Sequence, residues 1–429
     1  MKFFLVLFSL FLLIGCSSEN KSKLTFMVGG APNELIFWSE VVKSFEKKIG
    51  IKVEILRQPA DTEQRRQSLV IALSSHSKDP DVFLMDVIWI PQFSASEWLE
   101  PLDRCLKNSP LALKLFFEKV VKNIDTYKGK IVALPVYIDG GILYYRKDLL
   151  EKIGVKEPPR TWNELIEYSL KAQNLMRRNF SEFYGFIWQG AQYEGLICNF
   201  LEIASSNNGG IFFENNKVIL NTPENIKALN LLKSFIHDYK ISPPNTFTEM
   251  KEEEVRIYFQ KGLALFERNW PYAWMLHQSN NSPVKNKVEI APLPHFKNGK
   301  PASTLGGWHI GISKYSDQKE KSWKFIEFVL SYETQKELAL NLGWNPGRKD
   351  VYEDKDVLKK LPHFEKLKNI FDNFIVSRPS LPYYPLVSKI IQRYVNASLA
   401  NKLTPQEALS LAEEEINSMI KRYRNDKTL

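Results

Sequence analysis

The chain has 429 residues, 58 basic against 49 acidic for a formal net charge of +9, with 44 % hydrophobic and 25 % charged residues. These are globular proportions, which exclude a disordered chain, and the length exceeds one ordinary core, so two lobes or domains are expected. The excess basic charge is scattered, with no block of five or more like charges, which is the pattern of a solvated surface and not the basic stripe of a nucleic-acid binder.

The N-terminus carries Lys2, an apolar run from Phe3 to Leu13, then Leu13-Ile14-Gly15-Cys16 and a polar Ser17-Ser18-Glu19-Asn20 stretch. One positive charge, a short apolar run and small residues before a break form an export signal. The run is shorter than the ~20 apolar residues that span a bilayer as a helix. Leu-Ile-Gly-Cys resembles a bacterial lipobox, whose cysteine is acylated and becomes the first mature residue. Residues 1–15 are therefore expected to be a lipoprotein signal peptide, Cys16 the lipidation site, and 16–23 a leash. An ordinary secretory signal with an incidental cysteine is the alternative.

From Lys23 onward, strand and helix patterns alternate. A β-prone run over 24–28 stops at Gly29-Gly30, and 34–48 places Ile36, Phe37, Val41 and Phe45 at helical spacing. A strand over 51–56, a helix over 62–74 and an apolar strand over 81–85 follow. This β-α-β-α-β order predicts a mainly parallel sheet covered by helices. A second αβ region begins near Gly140, with helices over 162–174, 224–239 and 252–261 and a strand over 184–188. Strands over 288–293 and 308–312, a helix over 319–330 and a largely helical stretch over 381–421 complete the chain. Strand patterns that return this late favour two lobes with several chain crossings over two sequential domains.

Besides Cys16 there are only Cys105 and Cys198, no Cys-x-x-Cys, no His-x-x-x-His and six scattered histidines, so no metal site or cofactor is predicted. His309 lies in an apolar run and is expected to be a packed ring.

Several segments put aromatic and charged groups at strand ends or in loops: Gly29-Gly30-Ala31-Pro32-Asn33-Glu34, Met85-Asp86, 135–141, Asn269-Trp270-Pro271-Tyr272, Leu305-Gly306-Gly307-Trp308 and Ser377-Arg378-Pro379. In open αβ sheets ligands bind beyond the carboxyl ends of strands, which is where Asp86 and Asp139 fall. Sugars offer apolar C–H faces that match flat aromatic rings, and hydroxyls that match carboxylates and arginine. Trp270, Tyr272, Trp308 and Tyr137 with Glu34, Asp86, Asp139 and Arg378 are the types a disaccharide pocket needs. Each alone has a plainer reading: Asp86 could cap a helix, Glu34 could sit in a first helical turn, and any one ring could fill a core.

Together, these segments resemble the extracellular solute-binding proteins of ABC importers, in the group that takes up oligosaccharides and within it the trehalose/maltose-binding proteins. The resemblance is densest in 29–34, 61–66, 79–86, 134–139, 266–274, 304–316, 341–348 and 378–384. It implies that Glu34, Thr62, Arg66, Asp86 and Asp139 meet sugar hydroxyls, with Asp61 and Arg65 as alternatives for Thr62 and Arg66. It further implies that Tyr137, Trp270, Tyr272 and Trp308 pack on the rings, that Gly307 gives a backbone contact and that Arg378 grips the ligand with two hydrogen bonds.

The implied fold is the α/β, two-lobed periplasmic-binding-protein fold of type II, each lobe a mainly parallel sheet flanked by helices. Lobe 1 would comprise 24–138 and 293–335 and lobe 2 139–292 and 336–429, joined by a three-crossover hinge near 138–141, 291–294 and 331–346. On that layout Cys105 and Cys198 fall in different lobes and stay unpaired thiols. The implied function is capture of a disaccharide such as trehalose or maltose between the lobes and delivery to ABC permease subunits and their ATPase. That activity needs no catalytic residue and no cofactor, with a monomer held outside the cytoplasm through Cys16, touching the membrane by its lipid only and binding no nucleic acid. The alternative is a lipid-anchored glycoside hydrolase built from the same carboxylates and rings.

Overall fold

The structure is a computed structural model that describes residues 23–30, 32–59, 61–107 and 109–426; the signal segment and Cys16 lie outside the described residues. Fourteen strands are described: β1 (Leu24–Gly29), β2 (Val53–Gln58), β3 (Val82–Asp86), β4 (Thr126–Tyr127), β5 (Lys130–Ile131), β6 (Leu134–Gly140), β7 (Ile142–Arg146), β8 (Tyr184–Ile187), β9 (Phe212–Glu214), β10 (Lys217–Ile219), β11 (Ala264–Asn269), β12 (Val288–Ala291), β13 (Ser303–Ile312) and β14 (Ile375–Val376). They form two principal sheets, one in the order β14-β13-β3-β1-β2 with β6 also on β13, the other in the order β12-β7-β11-β8.

The first sheet begins as the sequence pattern predicts. β1 runs parallel to β2 and β3, and the helix Pro32–Ile49 between them buries Phe37, Trp38, Val41, Val42 and Phe45 as one stripe. The helix Thr62–Ser74 starts where the carboxylate of Asp61 accepts from Gln64 N–H at 2.8 Å, which satisfies one of the donors a helix start leaves open. β13 returns late in the chain, antiparallel to β3 and β6.

The second sheet departs from the expected mainly parallel arrangement. Only β11 and β8 are parallel, while β7 is antiparallel to both β11 and β12. The cause lies in the connection: β6 of the first sheet passes through Gly141 directly into β7 of the second, with no crossover helix to turn the chain round. Gly141 has no room for a side chain, since a Cβ there would stand 2.0 Å from Glu202 Oε1 and 2.4 Å from Arg268 Nη2. The chain returns to the first sheet between β12 and β13. After the helix Tyr332–Leu342, the segment 344–347 lies beside β6, with Ile138 N–H donating to Asn345 O at 2.9 Å and Gly347 N–H to Val136 O at 3.0 Å.

The helix Glu194–Ser205, absent from the sequence expectation, is buried at every position from Gly195 to Ala204, and its polar residues find buried partners: Glu202 on Arg268 and Asn199 on Gln189. The C-terminal stretch resolves into two helices, Tyr384–Leu399 and Pro405–Asp426, whose Val387, Ile391, Val395, Leu409 and Ile416 share a core with the second sheet. Cys105 and Cys198 are both free; burial pushes the Cys198 thiol up to about 12. His309 is fully buried, its Nδ1 2.5 Å from Asp125 Oδ1, in keeping with a packed ring. Among the described residues no helix is long and apolar enough to cross a membrane.

Candidate functional site

Three strands of the first sheet build one wall. Trp308 on β13 stands in register with Asp86 on β3 and with Tyr137 on β6, and Asp139 is paired with Gly306 one step along the same face. The four side chains therefore share a surface by strand alternation alone. Trp89 packs edge-on against Trp308 at 5.3 Å between centroids, and Trp344 lies 4.2 Å from Tyr137. Gly307 adopts φ +125°, and a Cβ there would come within 2.4 Å of Tyr137 O, so only glycine lets β13 press this closely on β6. The Gly307 carbonyl accepts from Val87 N–H at 3.1 Å.

The opposing wall comes from the end of β11. Trp270 N–H donates to Asn269 Oδ1 at 2.8 Å, its carbonyl accepts from Tyr144 O–H at 2.9 Å, and the Arg268 guanidinium lies under the ring at 4.1 Å. The indole reaches across to the first sheet: a Cβ on Gly306 would meet Trp270 Cζ3 at 3.1 Å and Asp139 Cβ at 3.4 Å. Tyr272, next in the same turn, donates to Glu253 Oε1 at 2.7 Å.

The Thr62–Ser74 helix decides between two neighbouring arginines. Arg65, Leu69 and Leu73 are its buried residues, spaced by four and so on one face. Arg65 accordingly lies over the Trp308 ring at 4.6 Å, with Nε donating to Pro59 O at 2.8 Å. Arg66 points aside, to Glu63 at 2.8 Å and Gln92 at 3.1 Å, and Thr62 is exposed at the helix start. Of the two arginines weighed from sequence, the structure brings Arg65 and not Arg66 to the aromatic wall. Asp61, weighed against Thr62, is the helix cap. Glu34 occupies the first turn of its helix, its carboxylate folded over Gly30, and its charge acts on both Arg65 and Tyr137.

Arg378 closes one end. Its Nη1 donates to Glu194 Oε1 at 3.0 Å and its Nη2 to Leu305 O at 2.9 Å; Tyr384 and Ser388 bond to the same glutamate. Two of its five N–H groups are thus engaged by the protein, while its buried Nε has no hydrogen-bond partner. Arg378 is close enough to Asp86 to oppose the rise that burial imposes on that carboxyl. Burial also raises Asp139, to about 7, despite a hydrogen bond from Asn345 Nδ2 at 3.1 Å.

The sequence reading passed over Trp344, Asn345, Trp89, Arg268 and Glu194. Trp344 and Asn345 had a signal in the dense stretch 341–348, but only the pairing of that stretch with β6 brings them to the site. The assembled surface offers flat rings from two sheets and carboxylates between them, which suits a polyhydroxylated ring with apolar faces. Among the described residues no cluster of three His, Cys, Asp or Glu side chains is placed to hold a metal ion.

Residues 31–336 match the family model of the bacterial extracellular solute-binding proteins. The chain is 35 % identical over 378 residues to a probable ABC transporter-binding protein of Deinococcus radiodurans, covering 87 % of this chain and 88 % of that one. Among solved structures, maltose-bound MalE3 of T. maritima superposes with a TM-score of 0.84 at 40 % identity, over 92 % of this chain and 99 % of that one. An ABC transporter solute-binding protein of Thermotoga lettingae, bound with α-D-tagatose, gives 0.81 at 30 % identity over 93 % and 100 %.

Proposed function

This chain belongs to the bacterial extracellular solute-binding proteins, and from that premise we propose that it captures a disaccharide of the trehalose or maltose type between its lobes and delivers it to the permease and ATPase of an ABC importer. The observation that carries the reading is Trp270, which projects from the second sheet onto Gly306 and Asp139 of the first, opposite the row of Asp86, Trp308 and Tyr137. A ring seated there meets an aromatic face from each lobe, and its hydroxyls meet carboxylates. The maltose bound by the T. maritima protein supports the same sugar class. Hinge closure around the ligand would present one closed surface to the permease.

The expected division is lobe 1 as 24–138 with 293–335 and lobe 2 as 139–292 with 336–429, but Leu338, Leu342 and Trp344 share a core with Phe37, Trp38 and Phe45 and β14 joins the first sheet, so in this reading lobe 1 extends beyond 335. The signal segment supports export, and Leu13-Ile14-Gly15-Cys16 supports a lipid anchor on Cys16 that keeps a monomeric receptor beside its importer. The receptor binds without turnover: Asp86 and Asp139 act as hydrogen-bond acceptors and not as the acid and nucleophile of a glycoside hydrolase.

A thermal-shift panel of maltose, trehalose, sucrose and longer glucans tests the reading, because a ligand that binds only the folded state raises Tm. A rise with a glucose disaccharide is expected, and no shift with any neutral sugar would reject it. The arginine assignment has its own check. Arg65→Met is expected to weaken disaccharide binding about tenfold or more by calorimetry, since it removes a charged donor stacked on Trp308, while Arg66→Met changes it less than about twofold. Equal effects of the two would remove Arg65 from the site.

A further inference from the structure

Asp139 occupies an unusual place in the cleft. It ends β6 where the chain crosses between sheets, with Gly306 beside it, the edge of Trp270 above and Asn345 behind. Asp86 of β3 and Glu34 of the helix Pro32–Ile49 bring like charge. Tyr137 of β6, Tyr144 of β7 and Tyr352 of the turn Lys349–Glu353 bring phenols that burial keeps protonated. The cation that acts on it, Arg268 of β11, is held by Glu202 through bonds of 2.9 and 2.5 Å, and Arg65 is engaged by Trp308 and Pro59. Its hydrogen-bond partner is the neutral amide of Asn345, a residue with no exposed surface whose own Oδ1 has no hydrogen-bond partner.

A half-buried carboxylate set among rings and like charges, with one neutral donor, favours its protonated form. The orphaned Oδ1 adds an independent reason. Turned end for end, the Asn345 amide would offer that oxygen to the proton of an Asp139 carboxylic acid, an exchange of O and N that costs no change of shape. We propose that Asp139 carries a proton in the empty cleft and releases it to solvent when a sugar hydroxyl donates to its carboxylate, so that ligand capture is proton-linked. This rests on the sugar-binding reading given above. The ionised carboxylate is the stronger acceptor, so the sugar selects it. Affinity is then full above the midpoint of the empty protein and falls as pH drops through it.

With that midpoint at about 7, the affinity for maltose should fall about fifty-fold from pH 7 to pH 5, and calorimetry in buffers of different ionisation enthalpy should report proton release at neutral pH. Asp139→Asn should bind more weakly and lose the pH dependence. Affinity that is flat from pH 5 to 8, or that rises on acidification, overturns the proposal while leaving sugar binding intact. Carbon-13 NMR of the aspartate carboxyls in the sugar-free protein, with Asp139→Asn locating the resonance, separates the two claims. Titration of Asp139 near pH 4 overturns proton linkage whether or not any sugar binds, whereas titration near 7 supports it even if maltose is the wrong ligand.

Discussion

Trp270→Ala is expected to weaken disaccharide binding by about 2 kcal/mol or more, roughly thirtyfold in Kd, in calorimetric titrations. The indole is the part of the second sheet that reaches the first, and it is held for that purpose from three sides. Tyr144 O–H fixes the backbone carbonyl of Trp270 at 2.9 Å, Asn269 Oδ1 accepts from its backbone N–H at 2.8 Å, and Arg268 lies beneath the ring at 4.1 Å. Truncation removes the face against which a sugar would pack, yet leaves Arg268 on Glu202, so the fold should hold while affinity falls. Trp270→Phe keeps a flat ring and should recover most of the loss. Unchanged affinity in Trp270→Ala would remove this residue from the site.

The second large effect concerns stability. Glu202→Ala should lower the unfolding free energy by about 3–5 kcal/mol in chemical denaturation, the usual consequence of leaving one member of a buried ion pair alone. Glu202 and Arg268 are each about 1 % exposed and bonded through both carboxylate oxygens. The glutamate also accepts from Thr304 N–H at 3.1 Å, which ties the helix Glu194–Ser205 to β13. Without it, Arg268 keeps only Gln189 Oε1 at 3.3 Å, and Thr304 loses its acceptor. The double change Glu202→Leu with Arg268→Met, which removes both charges, should be much less destabilising than the single one. A single variant as stable as the parent would show that the pair contributes nothing there.

Legibility in the sequence followed the range of the contacts. The β1 to β3 region was readable because each strand and helix there carries its own local pattern and neighbours pair in order. The second sheet was not, because β7 owes its direction to a direct passage through Gly141 that no local periodicity records. The helix Glu194–Ser205 was passed over although its spacing sets Leu196, Ile197, Phe200 and Leu201 apart from Glu194, Asn199 and Glu202. Within the site, Trp308, Tyr137, Asp86 and Asp139 stood out as strand-end residues, and their register brings them together. The choice of Arg65 over Arg66 was within reach of the sequence, since Leu69 and Leu73 mark the inward face at steps of four. Trp344 and Asn345 were not, because they join the site only when 344–347 pairs with a strand some two hundred residues earlier. Arg378 illustrates a further limit: its residue type suggested a ligand grip, but its bonds to Glu194 and the Leu305 carbonyl depend on contacts between distant segments.

The central claim is a sugar held unchanged between the two sheets, and one measurement bears on it most directly. Protein comprising residues 23–429 is titrated calorimetrically with maltose and with trehalose, the complex is desalted, and the released ligand is identified by mass. The account predicts one disaccharide per chain recovered intact; free glucose, or no binding of either sugar, would contradict it.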